Sequence, residues 1–166
     1  MFFRREPVLP VYDFSEALLL SVMQRLEQSV EILQEQARAT HAVLGEEPLP
    51  PQTGLSEDEL AALQEQIGAP IPTEYADFLR YSRQLDGEPG FDICGQTAWP
   101  TDEDFATKPY LVIGNYYRYA DGDALMMPLA EDSEEVVLYL HEDGPKMETF
   151  APSFSLALWR MAHEKI

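Results

Sequence analysis

Apolar residues between positions 14 and 44 recur in alternating steps of four and three. They are Leu19, Met23, Leu26, Val30, Leu33, Ala37 and Leu44, with Thr40 in the remaining slot. This period is a heptad seam. It predicts one long helix over 14–44 that packs along a narrow line on another helix. Asp13 and Glu16 have capping-box spacing at its start. Gly45 supplies a left-handed stop, and Pro48, Pro50 and Pro51 forbid continuation. Two uses of the seam follow equally: it lies on the chain's own domain, or it docks a second copy or another partner.

Residues 46–54 form a Pro-rich, semi-rigid connector. A second helix then opens on a capping box (Ser56, Glu59) and a hydrophobic staple (Leu55, Leu60). Leu60, Leu63 and Ile67 face inward, and Gly68 ends the helix. Pro70-Ile71-Pro72 presets an extended turn and puts Pro72 at the first position of a third helix. Tyr75, Phe78, Leu79 and Ser82 line that helix's buried face at i, i+3, i+4 and i+7.

From Gly87 onward the period shortens. Five apolar runs, at 91–94, 110–113, 124–127, 136–140 and 146–150, lie between turn formers such as Asp121-Gly122-Asp123 and Asp143-Gly144-Pro145. Short consecutive strands without intervening helices predict an antiparallel meander. Ser153 opens a closing helix with Phe154, Leu158, Trp159 and Met161 inward. The fold class is therefore α+β: helices, then an antiparallel β-sheet meander, then a C-terminal helix, with a long N-terminal helix in front. The expected division is an N-terminal helical extension (1–45), a linker (46–54) and an α+β domain (55–166) that folds after deletion of residues 1–50.

Charge narrows the choice of partners. The formal net charge is −19 over 166 residues, and residues 46–166 hold 24 of the 30 acids against 7 of the 11 bases, a balance of −17. Such a polyanion repels nucleic acid and anionic lipid and attracts basic protein surfaces, accelerating encounter. Acidic surfaces also serve solubility alone. The single cysteine, Cys94, leaves no intramolecular disulfide, and the apolar cluster at Ala17–Leu20 is too short for a membrane span. The expected location is the cytoplasm.

Chemistry is sparse. His41, His141 and His163 have no metal-ligand spacing to one another or to Cys94, and Cys94 has no basic neighbour to activate its thiol. Asp102-Glu103-Asp104 and Asp121-Gly122-Asp123 lack the closing glutamate of a calcium loop. Gly-rich phosphate loops are absent. The expectation is a binding protein with no catalytic residues, cofactor or metal. Tyr116-Tyr117-Arg118-Tyr119 carries the side chains most enriched at binding hot spots, although alternate strand tyrosines also serve a core.

The order of motifs resembles the SUKH superfamily, a group of SMI1/KNR4-like proteins that includes many bacterial immunity proteins. The resemblance rests on the capped helix from Leu55-Ser56-Glu57, on Gly68-Ala69-Pro70-Ile71-Pro72 and on Tyr75-Ala76-Asp77-Phe78-Leu79. Val112-Ile113-Gly114 leading to Asp121-Gly122-Asp123 is similar to the family's strand and Gly-Asp turn, and Phe154-Ser155-Leu156-Ala157-Leu158 to its closing helix. Gln84-Leu85-Asp86-Gly87 departs from the family's frequent Asn-Gly-Gly turn. The resemblance spans about residues 55–162. It implies a non-catalytic protein that binds and silences a cognate toxin.

Taken with the charge, this makes Asp102, Glu103, Asp104, Asp121, Asp123, Glu131, Asp132, Glu134 and Glu135 candidates for an acidic partner-binding face, with Tyr116, Tyr117 and Tyr119 as anchors. The rival reading is a scaffold or adaptor that forms a homodimer through the N-terminal heptad helix.

Overall fold

A computed structural model describes residues 9–45, 53–83, 85–86, 91–100, 109–116, 123–129, 133–140 and 146–164. The first helix starts later than Asp13 and Glu16 suggest. The Asp13 carboxylate accepts hydrogen bonds from the Ser15 backbone N–H (2.9 Å) and from the Ser15 hydroxyl, closing a local turn. A 3-10 turn follows at Ala17–Leu19, and α1 runs over Val22–Val43. Its true cap is Ser21, whose Oγ accepts from the Gln24 N–H (3.2 Å) while Gln24 Oε1 accepts from the Ser21 N–H (2.9 Å). Glutamine at the third helical position closes a capping box as well as glutamate does.

The middle of the heptad seam is buried: Leu26, Val30, Leu33 and Ala37 all face inward, and α1 packs chiefly on α4 (Phe154–His163). Arg25 Nε donates to Ser155 Oγ (2.9 Å) near the start of both helices, and Gln36 Nε2 donates to the Ala162 carbonyl (3.3 Å) near their ends. The two helices thus run in the same direction. Leu26, Val30 and Leu33 belong to one hydrophobic cluster with Phe78, Leu125, Phe150 and Phe154. The helix read as an extension is a layer of the main core, which is the first of the two uses left open by the seam.

Helix α2 (Glu57–Ile67) carries the expected capping box, with Ser56 and Glu59 exchanging two bonds of 3.2 Å, and ends on Gly68 in the left-handed conformation. Just before it, Gly54 has no room for a side chain: a Cβ there would lie 1.9 Å from the carbonyl oxygen of Arg80, while the neighbouring Leu55 N–H donates to the Leu79 carbonyl (2.7 Å). Gly54→Ala is therefore expected to lower stability by about 2–3 kcal/mol, because backbone must move to relieve the clash. Urea denaturation of the variant checks this, and a change under about 0.5 kcal/mol would show that the chain yields freely there.

Helix α3 (Thr73–Tyr81) buries Tyr75, Phe78 and Leu79 as its pattern requires. Pro72 occupies the capping position itself, one residue before the expected place, and brings no side-chain acceptor. Glu134 supplies one from a distance, its Oε1 accepting from the Thr73 N–H (2.8 Å). In the same way Glu74 of α3 caps α4, accepting from the Ser155 N–H (2.9 Å), while the Ser153 side chain makes no capping bond. Two carboxylates thus lock separate segments onto helix N-termini, where the exposed N–H groups favour negative charge.

The strands β1 (Leu85–Asp86), β2 (Phe91–Pro100), β3 (Pro109–Tyr116), β4 (Ala124–Pro128), β5 (Val136–Leu140) and β6 (Lys146–Ala151) pair in sequence order, all antiparallel. This is the expected meander, with β2 continuing through a register irregularity between Ile93 and Thr97 to reach Pro100. Leu111, Ile113, Leu125, Met127, Leu138 and Phe150 point to the helices and join the main core. The opposite face carries a second cluster of Val112, Ala124, Met126 and Val137, flanked by Tyr110, Tyr139 and Met147. Register explains it, since Val112 lies beside Met126 and Met126 beside Val137.

Candidate functional site

Of the candidates read from the sequence, Asp102, Glu103, Asp104, Tyr117, Tyr119, Asp121, Glu131 and Asp132 lie outside the described residues. The other four have defined places. Tyr116 is buried at the end of β3, where its hydroxyl donates to Glu164 Oε2 (3.1 Å) and its ring meets Phe150 edge-on at 5.2 Å. Asp123 is fully buried, and its carbonyl accepts from the Tyr116 N–H (3.2 Å). Glu134 and Glu135 are half-buried. Glu134 caps α3, and Glu135 Oε2 accepts from the Thr149 hydroxyl (3.3 Å). Tyr116 and Asp123 thus face the interior, and Glu134 and Glu135 tie strand connections to neighbouring segments. The structure does not gather these four on one outward surface.

The strongest electrostatic feature lies inside. Arg160, only 3% exposed, donates to the carbonyls of Phe150 (3.0 Å) and Pro10 (2.8 Å) and to Glu164 Oε1 (3.0 Å). Its guanidinium also lies over the rings of Phe150 (4.6 Å) and Tyr12 (5.4 Å), an arrangement the ring quadrupole favours. Burial, with the Glu164 carboxylate adding to it, pushes the Tyr12 phenol above its ordinary pKa. A second bond, from the Leu9 N–H to Glu148 Oε1 (3.1 Å), fixes the start of the same segment. Residues 9–12 are therefore strapped across α4 and β6.

Arg25, also buried, does the same for the next stretch. Its Nη1 donates to the carbonyls of Leu20 (3.0 Å) and Ala17 (3.4 Å) while Nε holds Ser155. The 3-10 turn is pinned with Ala17 inward and Leu18 and Leu19 outward. Val11, Leu18, Leu19 and Met23 are four of the large apolar side chains that the described residues leave exposed. Asp13 and Glu16 are exposed beside them. The Ser15 hydroxyl and then its backbone N–H hold the Asp13 carboxyl below its usual pKa, so it stays charged. The sequence reading missed this shoulder because it placed Leu19 and Met23 on a continuous helical seam. The available signal was Leu18-Leu19-Leu20 directly before the Ser21–Gln24 capping box, since three consecutive leucines cannot all face one side.

Among the described residues no group of three or more His, Cys, Asp or Glu is placed to hold a metal ion, and no helix is long and apolar enough to cross a membrane. What the described surface offers is apolar contact area edged by carboxylates. Comparison with known families matches residues 54–158 to the SMI1 / KNR4 family (SUKH-1). The match begins at the constrained Gly54 and takes in α2, α3, the sheet and the first half of α4. No curated protein and no solved structure gives a match.

Proposed function

Because this chain belongs to the SMI1 / KNR4 family (SUKH-1), we propose that it is an immunity protein, which binds a cognate protein toxin and neutralises it by occupying its surface. Family membership carries the reading. The charge of −19 supports it, since a polyanion is suited to fast encounter with a basic protein and poorly suited to nucleic acid or anionic lipid. The action is stoichiometric binding in the cytoplasm, with no turnover and no cofactor. The acidic stretches of sequence holding Asp102, Glu103, Asp104, Asp121, Glu131 and Asp132 steer the approach, with Tyr117 and Tyr119 as aromatic contacts. The rival scaffold reading loses its main support, because Leu26, Val30 and Leu33 of the heptad seam are already packed within the chain.

Co-expression tests the reading. The polypeptide encoded beside this gene is expected to arrest growth when produced alone. Growth should return when this chain is produced with it, and the two should co-purify in fixed ratio. Arrest that persists despite abundant folded chain would sink the proposal.

A further inference from the structure

The geometry points to the N-terminal shoulder, made by Leu18, Leu19 and Met23 with Val11 beside them, as a docking surface for a partner protein with an apolar centre and a basic rim. This rests on the immunity reading and assigns its contact surface. Leu18 is 63% exposed, Leu19 85% and Met23 42%, and Val11 is fully exposed. Exposed leucines in a fraying terminus would mean little. These are presented by backbone that two buried guanidiniums hold: Arg160 binds the Pro10 carbonyl, next to Val11, and Arg25 binds the carbonyls on either side of Leu18 and Leu19. Side chains displayed on a fixed frame lose little further freedom on binding, which is how a small apolar patch becomes an anchor.

Charge selects the kind of partner. From residue 9 to residue 37 the only basic side chain is Arg25, which is buried, whereas Asp13, Glu16, Glu27 and Glu31 are exposed. A second copy meeting this surface would set like carboxylates against each other, as it would along the first half of α1, where Glu27 and Glu31 line the exposed side before Glu35 pairs with Arg38 (2.7 Å). A cationic rim on a different protein removes that repulsion. The second cluster on the sheet is the weaker candidate, because Met126 and Val137 are already buried there.

The test uses the full chain and, as probe, the purified polypeptide encoded by the adjacent gene. Leu18→Ser with Leu19→Ser is expected to weaken binding by at least about 30-fold, mainly through faster dissociation, with an unchanged melting temperature. Asp13→Asn with Glu16→Gln should instead slow association at low salt and leave dissociation nearly unchanged. Wild-type affinity in the double-serine variant overturns the surface while leaving the immunity reading intact. No binding by the wild-type chain overturns both. A wild-type dimer that the serine variant converts to monomer without loss of probe binding overturns the assignment in favour of self-association.

Discussion

Deleting residues 1–50 is expected to abolish cooperative folding of the remainder. Helix α1 contributes Leu26, Val30 and Leu33 to the cluster that also holds Phe78, Phe150 and Phe154. At roughly 1.5–3 kcal/mol for each fully buried side chain, the three together represent about 5–9 kcal/mol of burial. The whole stability of a domain is only about 5–15 kcal/mol. The deletion also strips the cover from α4, a helix buried at every position from Phe154 to Ala162, and leaves Ser155 without Arg25. A helix buried on all sides cannot form one wall of a truncated domain. Near-UV circular dichroism and a urea titration should therefore show weak tertiary signal and a broad transition. Leu26→Ala in the full chain is the graded version, with an expected loss of about 2–5 kcal/mol. A truncated chain that unfolds in one sharp transition at native-like urea concentration would show that α1 is dispensable.

Such an outcome would reverse the division expected from sequence, and the reason is physical. The four-and-three spacing of Leu26, Val30, Leu33 and Ala37 correctly signalled helix-on-helix packing, but a seam does not say whose helix lies opposite. The partner is α4, more than a hundred residues further along. A Pro-rich stretch over 46–54 reads as a domain boundary in the sequence, whereas the helix before it shares one hydrophobic cluster with the elements after it. The family match from Gly54 to Leu158 stops short of α1 for the same reason that the boundary seemed natural: the shared pattern lies in α2, α3, the sheet and α4.

Local chemistry was legible where it was self-contained. Ser56 and Glu59 form their box, Gly68 takes the left-handed stop, and five apolar runs become strands paired in order. The candidate site was far less legible. Tyr116 has the composition of a hot spot, and simple alternation from the inward Leu111 and Ile113 would turn it outward, yet the register shift between Val112 and Gly114 reverses the alternation along β3 and brings it to Phe150 and Glu164 on the inner face. Glu134 reads as surface charge and is a cap for a helix sixty residues away, since Pro72 brings no acceptor of its own. Long-range pairing of this kind leaves no local spacing to detect. The continuous run Ala124-Leu125-Met126-Met127 did carry a signal: an antiparallel strand apolar on both sides has both faces covered, and here both are buried.

Arg160→Met is the second large effect expected, a loss of about 3–5 kcal/mol despite the similar length of the two side chains. Removing the guanidinium takes its hydrogen bonds from the Phe150 and Pro10 carbonyls and the Arg160 charge from Glu164, whose side chain is 5% exposed. An uncompensated buried carboxylate is costlier than the intact pair is favourable, so the damage should shrink when the charge is removed as well. Glu164→Gln alone leaves Arg160 its two carbonyls. In combination with Arg160→Met it should recover about 1–3 kcal/mol relative to the sum of the single changes, as contacting residues do. Urea titrations of the four chains measure that coupling directly. The strap gives an independent readout: with Pro10 released, chymotrypsin should cut after Tyr12 faster than in the wild type, while Glu164→Gln should leave that rate closer to the wild-type value. If Arg160→Met stays within about 1 kcal/mol of the wild type, the guanidinium is not what holds the strap, and the rigid display of Val11 must come from Leu9 and its bond to Glu148 alone.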